Sequence, residues 1–320
     1  MYLSLIIPFY NEEKNLPPLT EKLNTLLFSI GKSVEIIFID DGSTDNGFNV
    51  LNNLVRGKEN WKIIRFRKNF GQTAAWAAGL ECINGEVVIF LDSDLENDPA
   101  DIPKLLSKID EGYDLVSGWR KNRWQGQFFK RRLTSKIANW LIAKISGVHI
   151  HDFGCSLKAY RKEVIKDVKL YGEMHRFIAV LASWQGAKIA EVEVNFKPRQ
   201  FGVSKYGMER ILKVFLDLTV IKFLSGYSTK PIYFFGRAGF YSIILGFATF
   251  LVAVYLKFFG GKSFIATPLP VLVALFFIVG ILCILMGLLA EMIMRTHHEL
   301  RDKKIYTIKE KINFNEERKY

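Results

Sequence analysis

Cysteine is scarce. The 320 residues hold three, Cys82, Cys155 and Cys283, too far apart for a paired metal spacing or a disulfide framework. A reducing compartment is their simplest home. Also missing is a secretory leader: Met1 runs directly into Leu3-Ser4-Leu5-Ile6-Ile7, with no basic stretch, long apolar run and cleavage site, so the N-terminal region is expected in the cytosol. No GxGxxG fingerprint and no GxxxxGK(S/T) loop occurs after an apolar run, which weakens dinucleotide-binding and P-loop readings. Acidic residues are outnumbered, 32 against 44 basic, leaving a formal charge of +12. That excess suits nucleic acid, an anionic membrane surface or phosphorylated substrates. What is abundant is apolar: 49% of residues are hydrophobic and 24% charged. A disordered tail and a collagen-like chain are thereby excluded, and the length suits one large domain of about 200 to 250 residues plus something more.

The additional part reads as membrane. Ala238 to Leu256 carries no charge, and as a helix it rises roughly 28 Å, about one hydrocarbon thickness. A second uncharged stretch, Ser263 to Ala290, has Pro268 and Pro270 near its start, where a spanning helix is expected to begin. Both stretches reach spanning length and end in charge, which favours a membrane hairpin over a buried pair in a soluble protein. Lys222, Lys230 and Arg237 precede the first span, and Arg295, Arg301, Lys303 and Lys304 follow the second. Only Lys257 and Lys262 lie between, so the positive-inside tendency puts both long flanks in the cytosol. The same clustering beside spans, with no recognised binding motif, disfavours nucleic acid.

Before the spans, apolar β-branched runs at Leu3 to Pro8, Val34 to Ile39, Trp61 to Phe66 and Val87 to Leu91 alternate with helical patterns. These cover Leu16 to Ile30, Gly47 to Val55, Thr73 to Cys82 and Ile102 to Ile109. The alternation predicts an α/β, doubly wound, mostly parallel sheet. Ligands of such sheets sit beyond the carboxyl ends of the strands, and polar clusters follow the runs there: Asn11-Glu12-Glu13, Asp40 to Asp45, and Asp92-Ser93-Asp94. Carboxylates two positions apart on extended backbone turn to one side. Their hard oxygens suit Mg2+ or Mn2+ bridging a diphosphate.

Taken together, Ile7-Pro8-Phe9-Tyr10-Asn11-Glu12-Glu13, Ile39-Asp40-Asp41-Gly42-Ser43-Thr44-Asp45, Asn69-Phe70-Gly71-Gln72-Thr73 and Leu91-Asp92-Ser93-Asp94-Leu95 resemble family-two glycosyltransferases of the GT-A fold. Asp152-Phe153-Gly154-Cys155-Ser156-Leu157-Lys158-Ala159-Tyr160-Arg161, His175-Arg176-Phe177 and Pro198 to Tyr206 are similar to the polyprenyl-phosphate subgroup, relatives of dolichol-phosphate mannose synthase and bactoprenol glucosyltransferase. The resemblance implies a cytosolic catalytic domain over 1–206, juxtamembrane amphipathic helices over 207–232, a two-helix membrane hairpin over 233–295 and a cytosolic tail over 296–320.

It also implies a reaction: transfer of a sugar from a nucleotide donor, UDP-linked or GDP-mannose, to a polyprenyl phosphate at the cytosolic membrane face, with divalent metal and inversion. Pro8, Tyr10, Glu12, Asp41, Ser93 and Arg120 become candidate donor contacts, with Asp92 and Asp94 facing metal and diphosphate. Relatives often have DADLQDPP where this chain has Asp92 to Pro99, and Glu96 in place of Gln offers a further metal ligand. Arg120, Arg131, Arg132, Arg199 and Lys205 are candidate cations for the phosphates. Asp152 would orient one of them or act at the acceptor. From Trp124 to Val148, Phe128, Phe129, Leu133, Ile137, Trp140 and Leu141 interleave with Lys130, Arg131, Arg132, Lys136 and Lys144, a pattern that suits an interfacial helix. Ile211 to Leu224 poses the same choice between interface and core. A processive polysaccharide synthase would share the early motifs, but the Gln of its Gln-x-x-Arg-Trp signature is Arg120 here. A non-catalytic membrane receptor for nucleotide sugars is the other alternative. The sugar and polyprenol stay open, as does self-association.

Overall fold

The computed structural model describes residues 1–121, 123, 139–140, 142–144, 146–166, 168, 177–198, 223, 231–299 and 305–314. Two compact units divide the chain, one formed by Met1–Leu218 with Lys304–Tyr320, the other by Thr219–Lys303.

In the first unit, strands β1 (Leu3–Phe9), β2 (Val34–Asp40), β3 (Trp61–Phe66) and β4 (Val87–Phe90) alternate with helices α1 (Leu16–Ile30), α2 (Gly47–Leu54), α3 (Gln72–Leu80) and α4 (Ile102–Asp110). Strands β5 (Leu115–Trp119), β6 (Lys158–Arg161), β7 (Ile189–Glu193) and β8 (Ile308–Ile312) complete an 8-stranded sheet in the order β7-β5-β6-β4-β1-β2-β3-β8. The four early strands pair in parallel, as their alternation with helices predicts. β6 runs antiparallel to both β4 and β5, and β8 antiparallel to β3, so the sheet is mixed.

Period-two alternation sorts the strand residues between two layers. Leu3, Leu5, Ile7 and Phe9 of β1, with Ile36, Phe38, Ile63 and Ile89, share one core with Leu19 and Leu23 of α1, Leu51 of α2 and Leu105 of α4. The other face takes α3, whose Trp76 stacks on Phe90 with ring centres 4.1 Å apart. A Cβ at Gly79 would lie 2.6 Å from Ile6 Cγ2, so only glycine lets this helix lie so close to β1. Burying each such Leu, Ile or Phe contributes about 1.5–3 kcal/mol. At the strand starts a polar clamp crosses three strands. The buried Glu35 of β2 accepts from Ser4 Oγ of β1 at 2.6 Å and from Lys62 Nζ of β3 at 2.7 Å.

Within the expected tail over 296–320, Ile308–Ile312 forms the edge strand beside β3. Its sequence Ile-Lys-Glu-Lys-Ile leaves the central Lys309, Glu310 and Lys311 exposed, which suits an edge.

The second unit contains two helices long and apolar enough to cross a membrane, Pro231–Phe258 and Leu269–Ile293, with mean hydropathies of 2.0 and 3.1. The second begins between the two prolines, where the sequence predicts. Gly239 and Gly280 set the helices close together, since a Cβ at Gly239 would come within 2.7 Å of the Gly280 carbonyl. Phe240, Tyr241, Phe247, Leu251, Leu282 and Leu289 are exposed. Outward-facing apolar side chains on such long helices are what lipid solvates.

Candidate active site

β1 and β2 end level, Phe9 opposite Asp40, and β4 ends three residues short of them, Phe90 opposite Ile6, so the loops that follow these parallel strands leave from the same end of the sheet. Asn11, at φ 57°, ties the first two loops together. Its backbone N–H donates to Ser43 Oγ at 3.1 Å, and its side-chain oxygen accepts from Thr44 N at 2.8 Å. Of the expected donor contacts, Pro8 is buried within β1, while Tyr10 and Glu12 keep part of their surface open at the rim. Glu12 also caps the entry to α1 through Asn15.

Asp41 grips a third loop. Its two carboxylate oxygens accept from Phe70 N at 2.7 Å and Gly71 N at 2.9 Å. Close approach here requires glycine at position 42, where φ is +70° and a Cβ would sit 2.4 Å from the Lys68 carbonyl carbon. Burial above all pushes the Asp41 carboxyl up to about 6, overcoming the two N–H bonds, and Asp40 adds to the rise. Between its ordinary value of 3.8 and about 6, the folded protein therefore keeps a proton that the unfolded chain has released. Stability falls as pH rises through that window. Asp41→Asn is expected to remove this share of the slope, read as denaturation midpoints on either side of it; an unchanged slope would contradict the assignment.

Ser93 and Asp94 lie in a turn that begins just after Asp92. The Asp94 carboxylate accepts the Glu96 N–H at 3.1 Å, and Leu95 is left-handed at φ 61°. Asp92 accepts from Gln72 Nε2 at 2.7 Å and from the Ser156 hydroxyl, which Asn97 Nδ2 approaches at 2.9 Å. Desolvation first, and then the neighbouring Asp94 charge, push Asp92 up to about 7. Two carboxylates that repel each other in this way form a hard-oxygen pair fitted to a divalent cation. Glu96 follows the left-handed residue Leu95; its charge adds to the rise at Asp92, and its Oε2 lies 4.0 Å from Arg120 Nη1. Among the described residues no three acidic, histidine or cysteine side chains assemble as a metal cluster.

Arg120, just past β5, is buried at 6% exposure. Its Nε and Nη2 donate to the Asp152 carboxylate at 2.7 and 3.1 Å. Burial opposes both charges. The pairing outweighs it, raising Arg120 and holding Asp152 below the ordinary carboxylate range, with Arg123 and Lys158 assisting. Asp152 is thus the bidentate partner of the Arg120 guanidinium. Glu191 of β7 steadies this loop, accepting from His151 N at 2.7 Å and Asp152 N at 3.4 Å. Cys155, raised to about 11 by burial, is a buried thiol rather than a nucleophile.

Pro8, Tyr10, Glu12, Asp41, Asp92, Ser93, Asp94, Arg120 and Asp152 thus fall on or beside the loops of the sheet's strand ends. Arg131, Arg132, Arg199 and Lys205 lie outside the described residues, as do most of the expected interfacial helix over 124–148 and all of 211–224 except Phe223. Within the first of these, the exposed Trp140 has Lys144 Nζ 4.9 Å from its ring centre. Sequence reasoning did not single out Gln72, Ser156 or Glu191. The first two lie inside the quoted motifs, and that was their only signal.

The family model described as Glycosyl transferase family 2 matches residues 4–169. Dodecaprenyl-phosphate galacturonate synthase of Rhizobium johnstonii is 41% identical over 304 residues, covering 92% of this chain and 88% of that protein. Among solved structures, glucosyl-3-phosphoglycerate synthase from Mycobacterium tuberculosis, in complex with Mn2+, UDP and phosphoglyceric acid, is similar at TM-score 0.54 and 18% identity. That match covers 70% of this chain and 78% of the other. S. aureus TarS 1-349 in complex with UDP-GlcNAc gives TM-score 0.51 and 20% identity, over 70% and 67% of the two chains. These two likenesses concern the fold.

Proposed function

Since the chain belongs to glycosyl transferase family 2, we propose that it moves a sugar from a nucleotide-sugar donor onto a polyprenyl phosphate at the cytosolic face of a membrane. The observation that carries this reading is the 41% identity to a polyprenyl-phosphate sugar synthase across 92% of the chain, a span that extends through the apolar helices. The basic flanks of those helices support the cytosolic orientation.

The chemistry asks little of the protein in proton transfer. A phosphate monoester has a second pKa of about 6, so the acceptor is mostly ionised at neutral pH and needs no general base. Its oxygen attacks the anomeric carbon as the bond to the departing nucleoside diphosphate breaks, and a single displacement inverts that centre. The difficulty is charge, because two phosphorylated molecules must meet. Mg2+ or Mn2+ held by Asp92 and Asp94 would supply neutralisation of the leaving diphosphate. Gln72 and Ser156 orient Asp92 for that task, Asp41 fixes the 70–71 loop on the donor side, and Asp152 holds the Arg120 cation in place. Arg131, Arg199 and Lys205 are proposed as further cations for the phosphates.

Membranes containing the protein, given labelled UDP-glucose, UDP-galacturonate, UDP-N-acetylglucosamine, UDP-aminoarabinose and GDP-mannose with undecaprenyl, dodecaprenyl or dolichyl phosphate, should form one lipid-linked sugar. A chelator should suppress it. Donor binding without any lipid product would favour the non-catalytic receptor instead.

A further inference from the structure

The C-terminal strand reaches the sheet only after the chain has passed through both apolar helices, and two residues ahead of it an aromatic side chain packs at the end of β3. Tyr306 is buried at 7% exposure. Its ring stacks on Phe66, at the end of β3, with centres 5.0 Å apart and planes 17° from parallel. Phe66 in turn meets Phe70 edge-on at 5.7 Å. Phe70 and Gly71 are the residues whose amides hold Asp41. The Tyr306 hydroxyl donates to the carboxylate of Glu81, at the C-terminal end of α3. The first residue of that helix, Gln72, donates to Asp92. Next to Tyr306, the Thr307 carbonyl accepts from Arg67 N at 3.1 Å.

One tyrosine thus touches the segment before the 67–72 loop through its ring and the helix after it through its hydroxyl. The loop delivers hydrogen bonds to two acidic residues of the rim, Asp41 and Asp92. The geometry points to Tyr306 as a positioning residue for the nucleotide-sugar donor, acting through Phe66, Phe70 and Glu81 on the loop that orients both carboxylates. This rests on the donor reading above. Tyr306 touches no reacting atom, so its effect falls on the donor's side of the reaction and not on the acceptor's. Misplacing an orienting group by a fraction of an ångström is costly because productive geometry is narrow.

The test uses the full chain in detergent with Tyr306→Ala, Tyr306→Leu and Tyr306→Phe. KM for donor and for lipid acceptor, kcat, melting temperature, and equilibrium binding of UDP and of GDP with Mn2+ are measured for each. The Ala and Leu variants are expected to raise the donor KM and the nucleotide Kd about tenfold and, because the same loop orients Asp92, to lower kcat as well, with acceptor KM within about twofold. The Phe variant keeps the stack and loses only the Glu81 bond, so it should stay within about threefold of wild type. Should the Ala variant fail to fold, the Leu variant, which retains apolar volume, decides. Wild-type donor KM in the Leu variant would overturn the inference. So would a loss spread evenly over kcat and both KM values with a lowered melting temperature, which is the mark of a merely structural role. Wild-type protein that binds neither nucleotide and makes no lipid-linked sugar would instead sink the reading of the function, and the inference with it.

Discussion

Asp94→Ala is expected to lower the rate of sugar transfer by roughly 10²–10³-fold, the usual effect of removing one group that stabilises charge developing in a transition state. Asp94 has two separable duties. Its carboxylate accepts the Glu96 N–H and so closes the turn after β4, and its charge stands beside Asp92. Asp94→Asn keeps an oxygen acceptor for the turn and removes the charge. If charge is what matters, Asn and Ala should lose transfer to a similar extent, while the melting temperature of the Asn variant stays near wild type. Full turnover in both variants would remove Asp94 from the proposed cation site. Activity retained in Asn but lost in Ala would assign it to the turn alone.

Asp152→Ala is expected to be the most destabilising single change at the site, by about 3–5 kcal/mol, because it leaves the buried Arg120 guanidinium without its bidentate partner. The nearest other acid, Glu96, is 4.0 Å from Arg120 and makes a poor substitute. Denaturant midpoints of the single variants and of Arg120→Met/Asp152→Ala form a cycle. Removing both charges should recover much of the loss, since a buried pair contributes little beyond cancelling its own desolvation. A double variant as unstable as Asp152→Ala alone would mean that packing, not charge, makes the contact. The pH dependence has a definite sign. Asp152 is held below the ordinary carboxylate range, so its contribution is present above that range and lost as pH falls through the lowered value.

Much of the parallel half of the sheet was readable because its evidence is local. Trp61–Phe66 and Leu16–Ile30 coincide with the expected runs, and β1, β2 and β4 differ from expectation by one residue at an end. Periodicity carries that information within a few residues. The antiparallel strands were opaque for the opposite reason. β6 opens on Lys158, a buried cation that no hydropathy pattern places inside, and β8 is paired with residues some 245 positions away. The site divides along the same line. Asp41, Asp92 and Asp94 announce themselves as acids after apolar strands. Gln72, Ser156 and Glu191 are ordinary polar residues whose roles arise only from partners brought close by the fold.

The lateness of β8 also bears on biosynthesis. β3 is made early, yet its outer edge has no partner until residues 308–312 emerge, after both apolar helices have been synthesised. At ribosomal speeds of about 5–20 residues per second, that edge waits roughly 10–50 s. An uncovered strand of Trp61, Ile63, Ile64 and Phe66 is a template for pairing with another chain. Chains arrested before residue 308 should therefore be the aggregation-prone population.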